Sequence, residues 1–272
     1  MREGRNDLPD GLSLRAAPVR RLRRLLRRRS DRDAEQVLVA EGAKLLGAAL
    51  DAKVPVEAVF VAPAAYDAHV VHRARAQGVA LHLLAPGVVE QVGSAVTPQP
   101  VVAVVPRRRH ALAELRGESL LVVSGGVQDP GNLGTLLRVA AAAGAGGVVC
   151  CGGSVDVYNP KAVRASAGVV FDVPVVTGAE ASEVLDELGR WSLRRLGTRP
   201  RRGAPYYAVD LTVPTAIVVG NEARGLDDSL GQLIDEEISI PMAEGTESLN
   251  VASAAAVICF EAARQRRMAG TA

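Results

Sequence analysis

A ten-residue segment, DPGNLGTLLR, combines helix-starting residues with a single isolated charge. Asn132 is of a type that commonly caps a helix, and we expect it to do so here. Arg138 is the only charged residue of the helical stretch that follows Asp129, and burying an unpaired guanidinium is costly. We therefore expect Arg138 to bind a phosphate or a reacting oxygen, unless it forms a salt bridge with a carboxylate such as Glu222.

A second segment, IVVGNEARGL, runs from an apolar strand directly into a loop bounded by Gly220 and Gly225. Glycine lets a backbone approach a ligand closely, and Glu222 is the only carboxylate of this loop. A binding loop and a plain tight turn are both compatible with this pattern.

The third segment begins at Ile238 and includes Ile240 and Met242. It continues through a polar loop and opens a helix at Ser248, Leu249 and Asn250. Ser248 and Asn250 are either site residues or simple helix caps. The helix starts with ten uncharged residues, VASAAAVICF, and a helix that is apolar all round must be buried on every side. It is therefore either inserted into the protein or shared with a partner subunit.

These segments need a scaffold, and short apolar runs that alternate with helical patterns predict an α/β fold. Strands are predicted over residues 36–40, 56–61, 79–84, 101–105, 120–124, 147–151, 173–176, 215–220 and 237–240. Helices are predicted over residues 19–29, 41–50, 64–77, 133–143 and 228–234. Buried strands separated by helices favour a parallel sheet with sites at the carboxyl ends of its strands. The predicted organisation is a flexible tail (1–17), an N-terminal domain (18–106), a linker (107–117) and a C-terminal domain (118–272).

Charge is unevenly distributed along the 272 residues, although the net charge is only +2. Seven arginines lie between positions 20 and 29, interspersed with leucines at helical spacing, which predicts an amphipathic basic helix. Such self-repulsion favours a phosphate-contacting face over a merely solvated one. Lys161 and Arg164 share a helix face and are compatible either with contact to a polyanionic partner or with an inert surface.

Other protein classes are disfavoured by what the sequence lacks. Three cysteines and four scattered histidines form neither a disulfide framework nor a zinc-binding pattern, so we expect no metal and a reducing cytoplasm. No apolar run is long enough to span a bilayer, so we expect no membrane contact. Phosphate-binding, dinucleotide-binding and nucleophile-elbow motifs are absent, which disfavours nucleoside triphosphatases, ordinary dinucleotide enzymes and serine hydrolases.

In their order and spacing, the three segments resemble the SpoU/TrmH-type branch of the SPOUT class of RNA 2′-O-ribose methyltransferases. The first family motif, Asn-x-Gly followed by Arg, is matched by Asn132, Gly134 and Arg138. The second, Gly-Asn-Glu-x-x-Gly, is matched at 220–225, and the third at 240–242 and 248–251. Residues 18–105 more loosely resemble the substrate-binding domain often attached to these enzymes, which is related to an RNA-gripping ribosomal-protein fold.

The resemblance implies a C-terminal SPOUT domain with a parallel sheet and a trefoil knot, and a smaller N-terminal α/β domain. It implies S-adenosylmethionine as cofactor, bound against Gly220, Ile240 and Leu249 with Met242 nearby. It gives Arg138 the central catalytic role, with Asn132, Glu222, Ser248 and Asn250 orienting Arg138 and the ribose. It also implies a homodimer with the site built across the interface.

Two catalytic roles can be compared for Arg138, a general base and an electrostatic clamp. A neutral hydroxyl is a poor nucleophile, so its proton must leave during attack. Because arginine stays protonated to a pKa above about 12, a free-standing arginine base is implausible. An electrostatic clamp on the adjacent phosphate and the developing alkoxide is the preferred interpretation.

The expected function is therefore 2′-O-methylation of structured RNA, with 23S ribosomal RNA favoured by the two domains and the basic arm. The alternatives are the same reaction on transfer RNA and a catalytically silent RNA-binding module. A silent module would be free to lose the polar motif residues, which this chain retains. Neither the target nucleotide nor the choice between housekeeping and antibiotic resistance follows from the sequence.

Overall fold

The computed structural model describes residues 11–245 and 247–270, and its contacts divide the chain into two units. The first unit extends to Arg108 and includes Tyr158–Phe171, and the second comprises Arg109–Val157 and the chain from Asp172 onward. The helices are α1 (Ala17–Arg27), α2 (Arg29–Glu35), α3 (Ala43–Asp51), α4 (His69–Ala76), α5 (Val88–Val92), α6 (Pro130–Ala142), α7 (Pro160–Ala165), α8 (Ala181–Arg190) and α9 (Val251–Ala269). The strands are β1 (Val37–Glu41), β2 (Ala58–Val61), β3 (Ala80–Leu83), β4 (Val101–Pro106), β5 (Leu120–Ser124), β6 (Gly147–Cys150), β7 (Val175–Thr177), β8 (Arg194–Thr198), β9 (Ala204–Pro205), β10 (Thr215–Val219) and β11 (Glu236–Ser239).

The first unit is built on a four-stranded sheet in the order β1-β4-β2-β3. β4 runs antiparallel to both of its neighbours, whereas β2 and β3 are parallel. Alternate residues of β1, β2 and β4 join the apolar sides of α1 and α5 in one core cluster, as the two-residue period of a strand requires. The predicted N-terminal strands are confirmed. The helix predicted over 64–77 is a short 3-10 turn followed by α4, and α5 was not predicted.

The prediction of a flexible tail over residues 1–17 is wrong for its described part, which begins at Gly11. The Leu12 N–H donates to the Leu83 carbonyl oxygen over 2.8 Å, and the Leu12 carbonyl oxygen accepts from the Ala85 N–H over 3.0 Å. Leu12 and Leu14 also pack against the apolar core, although two leucines are too few to produce a periodic pattern. The rest of the predicted tail, residues 1–10, lies outside the described residues.

Helix α7 lies in the first unit, although the predicted C-terminal domain, 118–272, includes it. The Arg164 guanidinium donates to the Glu41 carboxylate at the end of β1 and to the Ser94 hydroxyl, the latter over 2.7 Å. The Ser94 N–H donates to the same carboxylate over 2.8 Å, and the Glu41 side chain is completely buried. A buried carboxylate needs such donors. Arg164 therefore serves to hold α7 on β1.

The second unit contains a seven-stranded sheet in the order β7-β6-β5-β10-β8-β11-β9, in which every described pairing is parallel. All residues of β5, β6 and β10 are buried, as expected for strands with both faces covered. The predicted parallel sheet is confirmed, but β8 and β9 were not predicted. The helix predicted over 228–234 is a 3-10 helix, Asp228–Leu233. Because the strands are parallel, the carboxyl ends of β5, β10 and β8 lie along one edge.

Helix α9 is anchored near its C-terminal end by Arg266, which is only 5% exposed. Its guanidinium donates to the carbonyl oxygens of Leu211 over 2.9 Å and Ser119 over 2.8 Å, and these bonds make the burial of its charge tolerable. Burial lowers the pKa of Arg266. The helix is not buried on every side, since Phe260 is 45% exposed. The uncharged first half of α9 is therefore only partly covered within one chain.

Neither a membrane-spanning segment nor a metal centre is visible in the described part of the chain. None of its helices is both long and apolar enough to cross a bilayer, and no three His, Cys, Asp or Glu side chains there are grouped to hold a metal ion. Cys150, Cys151 and Cys259 are buried free thiols, and burial raises the pKa of each to about 12. Such thiols are not nucleophiles at neutral pH.

Candidate active site

The three sequence segments come together at the carboxyl edge of the second unit's sheet. The first follows β5 and forms the start of α6, the second follows β10, and the third links β11 to α9. β10 lies directly between β5 and β8, so the first two segments leave adjacent strands. Residues about a hundred positions apart in the sequence can therefore share one site.

The Glu222 carboxylate is the centre of the hydrogen-bond network. It accepts from the backbone N–H groups of Gln128 over 3.0 Å and Asp129 over 3.1 Å, and from the Asn132 side-chain amide over 3.0 Å. Burial alone raises the pKa of Glu222, but these hydrogen bonds outweigh it and hold the pKa below its usual value. Glu222 is therefore ionised at neutral pH and acts as a fixed acceptor. Its contribution to stability is complete above the ordinary pKa of glutamate and is lost as the pH falls through the lowered pKa.

Asn132 connects the first segment to the third. Its side-chain oxygen accepts from the Asn250 amide over 2.8 Å, while its own amide donates to Glu222. The prediction that Asn132 caps the helix is wrong, because Asp129 is the N-cap and its carboxylate accepts from the Asn132 backbone N–H over 3.0 Å. Asn250 is the N-cap of α9, since its side-chain oxygen accepts from the N–H groups at the start of that helix, while its amide joins this network. The result is a continuous chain of hydrogen bonds, Glu222–Asn132–Asn250.

The loop after β10, residues 220–225, is closed tightly on itself, and we call it the glycine loop. Asn221 and Gly225 exchange two backbone hydrogen bonds of 2.8 Å, and the Asn221 side chain donates to the Gly126 carbonyl oxygen over 3.1 Å. A Cβ atom at Gly220 would lie 2.2 Å from the backbone of Gly225 and of Leu226. The glycine is therefore required by the close approach of two backbone segments, which a plain surface turn would not need.

These segments line a cavity of about 590 Å³, within the range of small-molecule sites. The predicted cofactor-binding residues Gly220, Ile240, Leu249 and Met242 all lie in its wall, as do the predicted site residues Asn132, Glu222, Ser248 and Asn250. Apolar side chains and exposed backbone of this kind suit an aromatic base and a thioether.

Three further residues of the wall lie at the end of β8 or directly after it, and the sequence did not indicate them: Thr198, Arg199 and Pro200. Arg199 is nearly buried and donates to the Leu226 carbonyl oxygen over 2.6 Å and to the Glu237 carboxylate over 2.9 Å. It thereby fixes the end of the glycine loop. An apolar strand pattern would have indicated these residues, but β8 has the sequence RRLGT and shows none.

Arg138 stands apart from this network. It lies on the exposed side of α6 and is not among the residues that line the cavity. Its guanidinium has no hydrogen-bond or salt-bridge partner within residues 11–245 and 247–270. The alternative of a salt bridge to Glu222 is therefore not realised, because the donors to that carboxylate come from the start of α6. The structure leaves this guanidinium available to a ligand or another chain.

Two protein-family models match this chain, and together they cover most of its length. Residues 119–260 match the SpoU rRNA Methylase family, and residues 17–103 match the MRM3-like substrate binding domain. Among named relatives, the 23S rRNA (guanosine(2553)-2'-O)-methyltransferase of Bacillus subtilis is 37% identical over 183 residues, which cover 67% of this chain and 72% of that enzyme. The 23S rRNA (uridine(2479)-2'-O)-methyltransferase of Streptomyces viridochromogenes is 38% identical over 180 residues, 62% of this chain and 61% of that enzyme.

Solved structures agree over almost the whole chain. The SpoU methyltransferase AviRb from Streptomyces viridochromogenes superimposes with a TM-score of 0.84 and 30% identity, covering 94% of this chain and all of that one. An AdoMet-bound rRNA methyltransferase from Sinorhizobium meliloti gives a TM-score of 0.79 and 29% identity, covering 93% of this chain and 96% of that one. The chain belongs to the SpoU rRNA methylase family.

Proposed function

We propose that this protein transfers a methyl group from S-adenosylmethionine to a ribose 2′-hydroxyl of 23S ribosomal RNA, and that it does so as a homodimer in the cytoplasm. The observation that carries the proposal is the hydrogen-bonded chain Glu222–Asn132–Asn250 in the wall of the cavity. It unites polar residues of all three family motifs, and the named relatives of known specificity act on 23S rRNA.

The cavity has the chemistry that S-adenosylmethionine requires. Ile238, Ile240 and Ile258 line the cavity with apolar surface suited to an adenine ring, and the glycine loop adds backbone groups suited to hydrogen-bonding a polar edge. When bound there, the cofactor supplies an electrophilic methyl group on a sulfonium that leaves as a neutral thioether. The trefoil knot implied by the family remains a prediction about the chain path between β11 and α9.

Gly220→Ala is expected to weaken S-adenosylmethionine binding at least about tenfold, or about 1.4 kcal/mol. The added methyl would lie 2.2 Å from the backbone of Gly225, so the loop must open. Calorimetric titration with the cofactor measures the effect. Gly231→Ala is the matched control, because a Cβ at Gly231 meets no atom within 4 Å. Equal affinities for the two variants, both folded, would contradict this role of the loop.

In the proposed reaction the ribose 2′-oxygen forms a bond to the methyl carbon as the carbon–sulfur bond breaks, and the hydroxyl proton passes to solvent water. Glu222 is saturated with donors and has a lowered pKa, so it positions Asn132 and is poorly suited to accept this proton. Arg138 clamps the phosphate next to the target ribose and stabilises the developing negative charge. Ser248 and Asn250 orient the ribose.

The homodimer accounts for the position of Arg138. Arg138 lies outside the cavity of its own chain, yet a clamp must lie beside the reacting oxygen. A partner subunit that covers the exposed sides of α6 and α9 would bring its own Arg138 to this cavity and bury Phe260. The second subunit thus completes a site that one chain leaves unfinished.

The test is to incubate the protein with methyl-labelled S-adenosylmethionine and an unmodified 23S ribosomal RNA transcript, and to map the labelled nucleotide. One 2′-O-methylated ribose is expected. Label found only in a parallel incubation with unmodified transfer RNA would support the second substrate. Neither label nor heat of cofactor binding would support the silent RNA-binding module.

A further inference from the structure

The arginine-rich stretch between positions 20 and 29 divides into arginines with and without partners. Three have carboxylates nearby: Arg21 donates to Glu35 over 2.6 Å and also to Glu57, Arg24 lies 4.0 Å from Asp31, and Arg29 lies 3.3 Å from Asp33. The other four are exposed and have no partner in the described part of the chain: Arg20, Arg23, Arg27 and Arg28. We call these four residues the arginine face.

Helix α1 holds most of this face in a fixed direction. Arg20, Arg23 and Arg27 are spaced three and four residues apart, so they follow one side of the helix over about 10 Å. The opposite side is anchored in the core, where Val19 and Leu25 are completely buried and Leu22 is 1% exposed. The guanidinium groups are therefore presented outward by a rigid element.

Unpaired like charges on neighbouring turns repel one another, and α1 contains no acidic residue to offset them. The flanking arginines show that carboxylates were available locally, since Glu35 and Asp33 serve Arg21 and Arg29. A guanidinium face without internal partners suits oxyanions supplied from outside, and its planar fork matches phosphate geometry. We infer that the arginine face binds the phosphate backbone of the RNA substrate, an inference that rests on the proposed function.

A lipid membrane is the other polyanion that basic amphipathic helices bind, but α1 is unsuited to it. Such helices insert their apolar side between lipids, and the apolar side of α1 is already occupied by the protein core. RNA needs only the charged side. Helix α1 also lies within the residues that match a substrate-binding domain.

The test is the triple variant Arg20→Gln, Arg23→Gln and Arg27→Gln, in which glutamine preserves helix propensity. Its affinity for the unmodified 23S transcript is measured by filter binding with S-adenosylhomocysteine present, at salt concentrations between about 50 and about 300 mM. If three phosphate contacts are lost, affinity at low salt should fall about tenfold or more, and the slope of log affinity against log salt should shrink by about two to three. Cofactor affinity should be unchanged.

The matched control removes the same charge from other surfaces of the same unit. Lys44, Lys53 and Arg75 are exposed and have no carboxylate partner among the residues that the structure describes. The variant Lys44→Gln, Lys53→Gln and Arg75→Gln should bind RNA with nearly the wild-type slope, and thermal unfolding verifies that both variants are folded.

Equal slopes and affinities for the two triple variants would overturn the inference, even if the wild-type protein methylates the transcript. Binding of the wild-type protein to anionic phosphatidylserine vesicles, lost in the arginine-face variant while RNA binding persists, would also overturn it. Loss of RNA binding confined to the arginine-face variant supports it. If the wild-type protein then transferred no methyl group to any RNA, the proposed function would fail while the RNA-binding surface remained.

Discussion

Replacing Arg138 with alanine should lower kcat for RNA methylation about 100- to 1,000-fold while leaving S-adenosylmethionine affinity unchanged. The rate should fall because a preorganised positive charge beside a developing alkoxide is typically worth about that much. Cofactor affinity should persist because the proposed clamp contacts the RNA phosphate and the reacting oxygen, not the cofactor. Single-turnover methylation and calorimetric titration measure the two effects separately.

Arg138→Lys distinguishes a clamp from a mere charge. Lysine keeps the positive charge but loses the planar fork that grips a phosphate through two parallel hydrogen bonds. Its rate should therefore lie well below that of the wild type. A near-normal rate would show that the geometry of the guanidinium is unimportant and that the clamp is wrongly assigned. Size-exclusion chromatography with light scattering guards against a change of assembly in either variant.

Hydropathy predicted most of the scaffold because its strands are buried on both faces. β5 has the predicted bounds, and β10 ends one residue early. β8 was not predicted because two of its five residues are arginines. They pair with Asp235 and Glu236, which lie directly before and at the start of the adjacent strand β11. These ion pairs form only when the chain is folded, so the sequence pattern does not show them. Because β8 was not predicted, the part of the cavity wall at its carboxyl end was not predicted either.

The capping error at α6 has a different origin. Both Asp129 and Asn132 are good N-cap residues, and the choice between them was decided by Pro130, which favours the first helical position. With Asp129 as the cap, the Asn132 side chain is free to join Glu222 to Asn250. The local sequence was therefore sufficient to identify Asp129 as the N-cap of α6. The network that depends on it, however, joins residues 118 positions apart, and only the resemblance to a known family indicated their convergence.

The basic helix was predicted as one element over residues 19–29 but is divided into α1 and α2. The break is at Arg28, whose backbone is extended, and neither glycine nor proline marks it in the sequence. Arg32, in the second helix, is buried and donates to the Leu25 carbonyl oxygen over 2.8 Å. This tertiary contact folds α2 back onto α1. Charge counting alone could not separate such structural arginines from those of the arginine face.

The proposed homodimer makes a prediction that no single-subunit site can satisfy. Two impaired proteins, Arg138→Ala and Gly220→Ala, are co-expressed with different affinity tags, and the mixed dimer is isolated through both tags. Activity is measured at an S-adenosylmethionine concentration well below the wild-type dissociation constant, where weakened cofactor binding lowers the rate. If each cavity is completed by the partner's Arg138, the cavity of the Arg138→Ala subunit receives an intact arginine from the Gly220→Ala subunit. The other site carries both defects. The mixed dimer should then recover about half of the wild-type activity per dimer, since one of two symmetric sites is intact.

An arginine that served its own subunit would give the opposite result. Each subunit of the mixed dimer would then contain one damaged site, and mixing would restore nothing. The two parent homodimers, each expected to be strongly impaired at this cofactor concentration, provide the baseline, and a wild-type dimer with both tags gives the upper limit. A protein that stays monomeric at the assay concentration yet methylates RNA would likewise exclude sharing. Activity that is recovered only in the mixed dimer would therefore show that Arg138, exposed on α6 of one subunit, acts in the cavity of the other subunit.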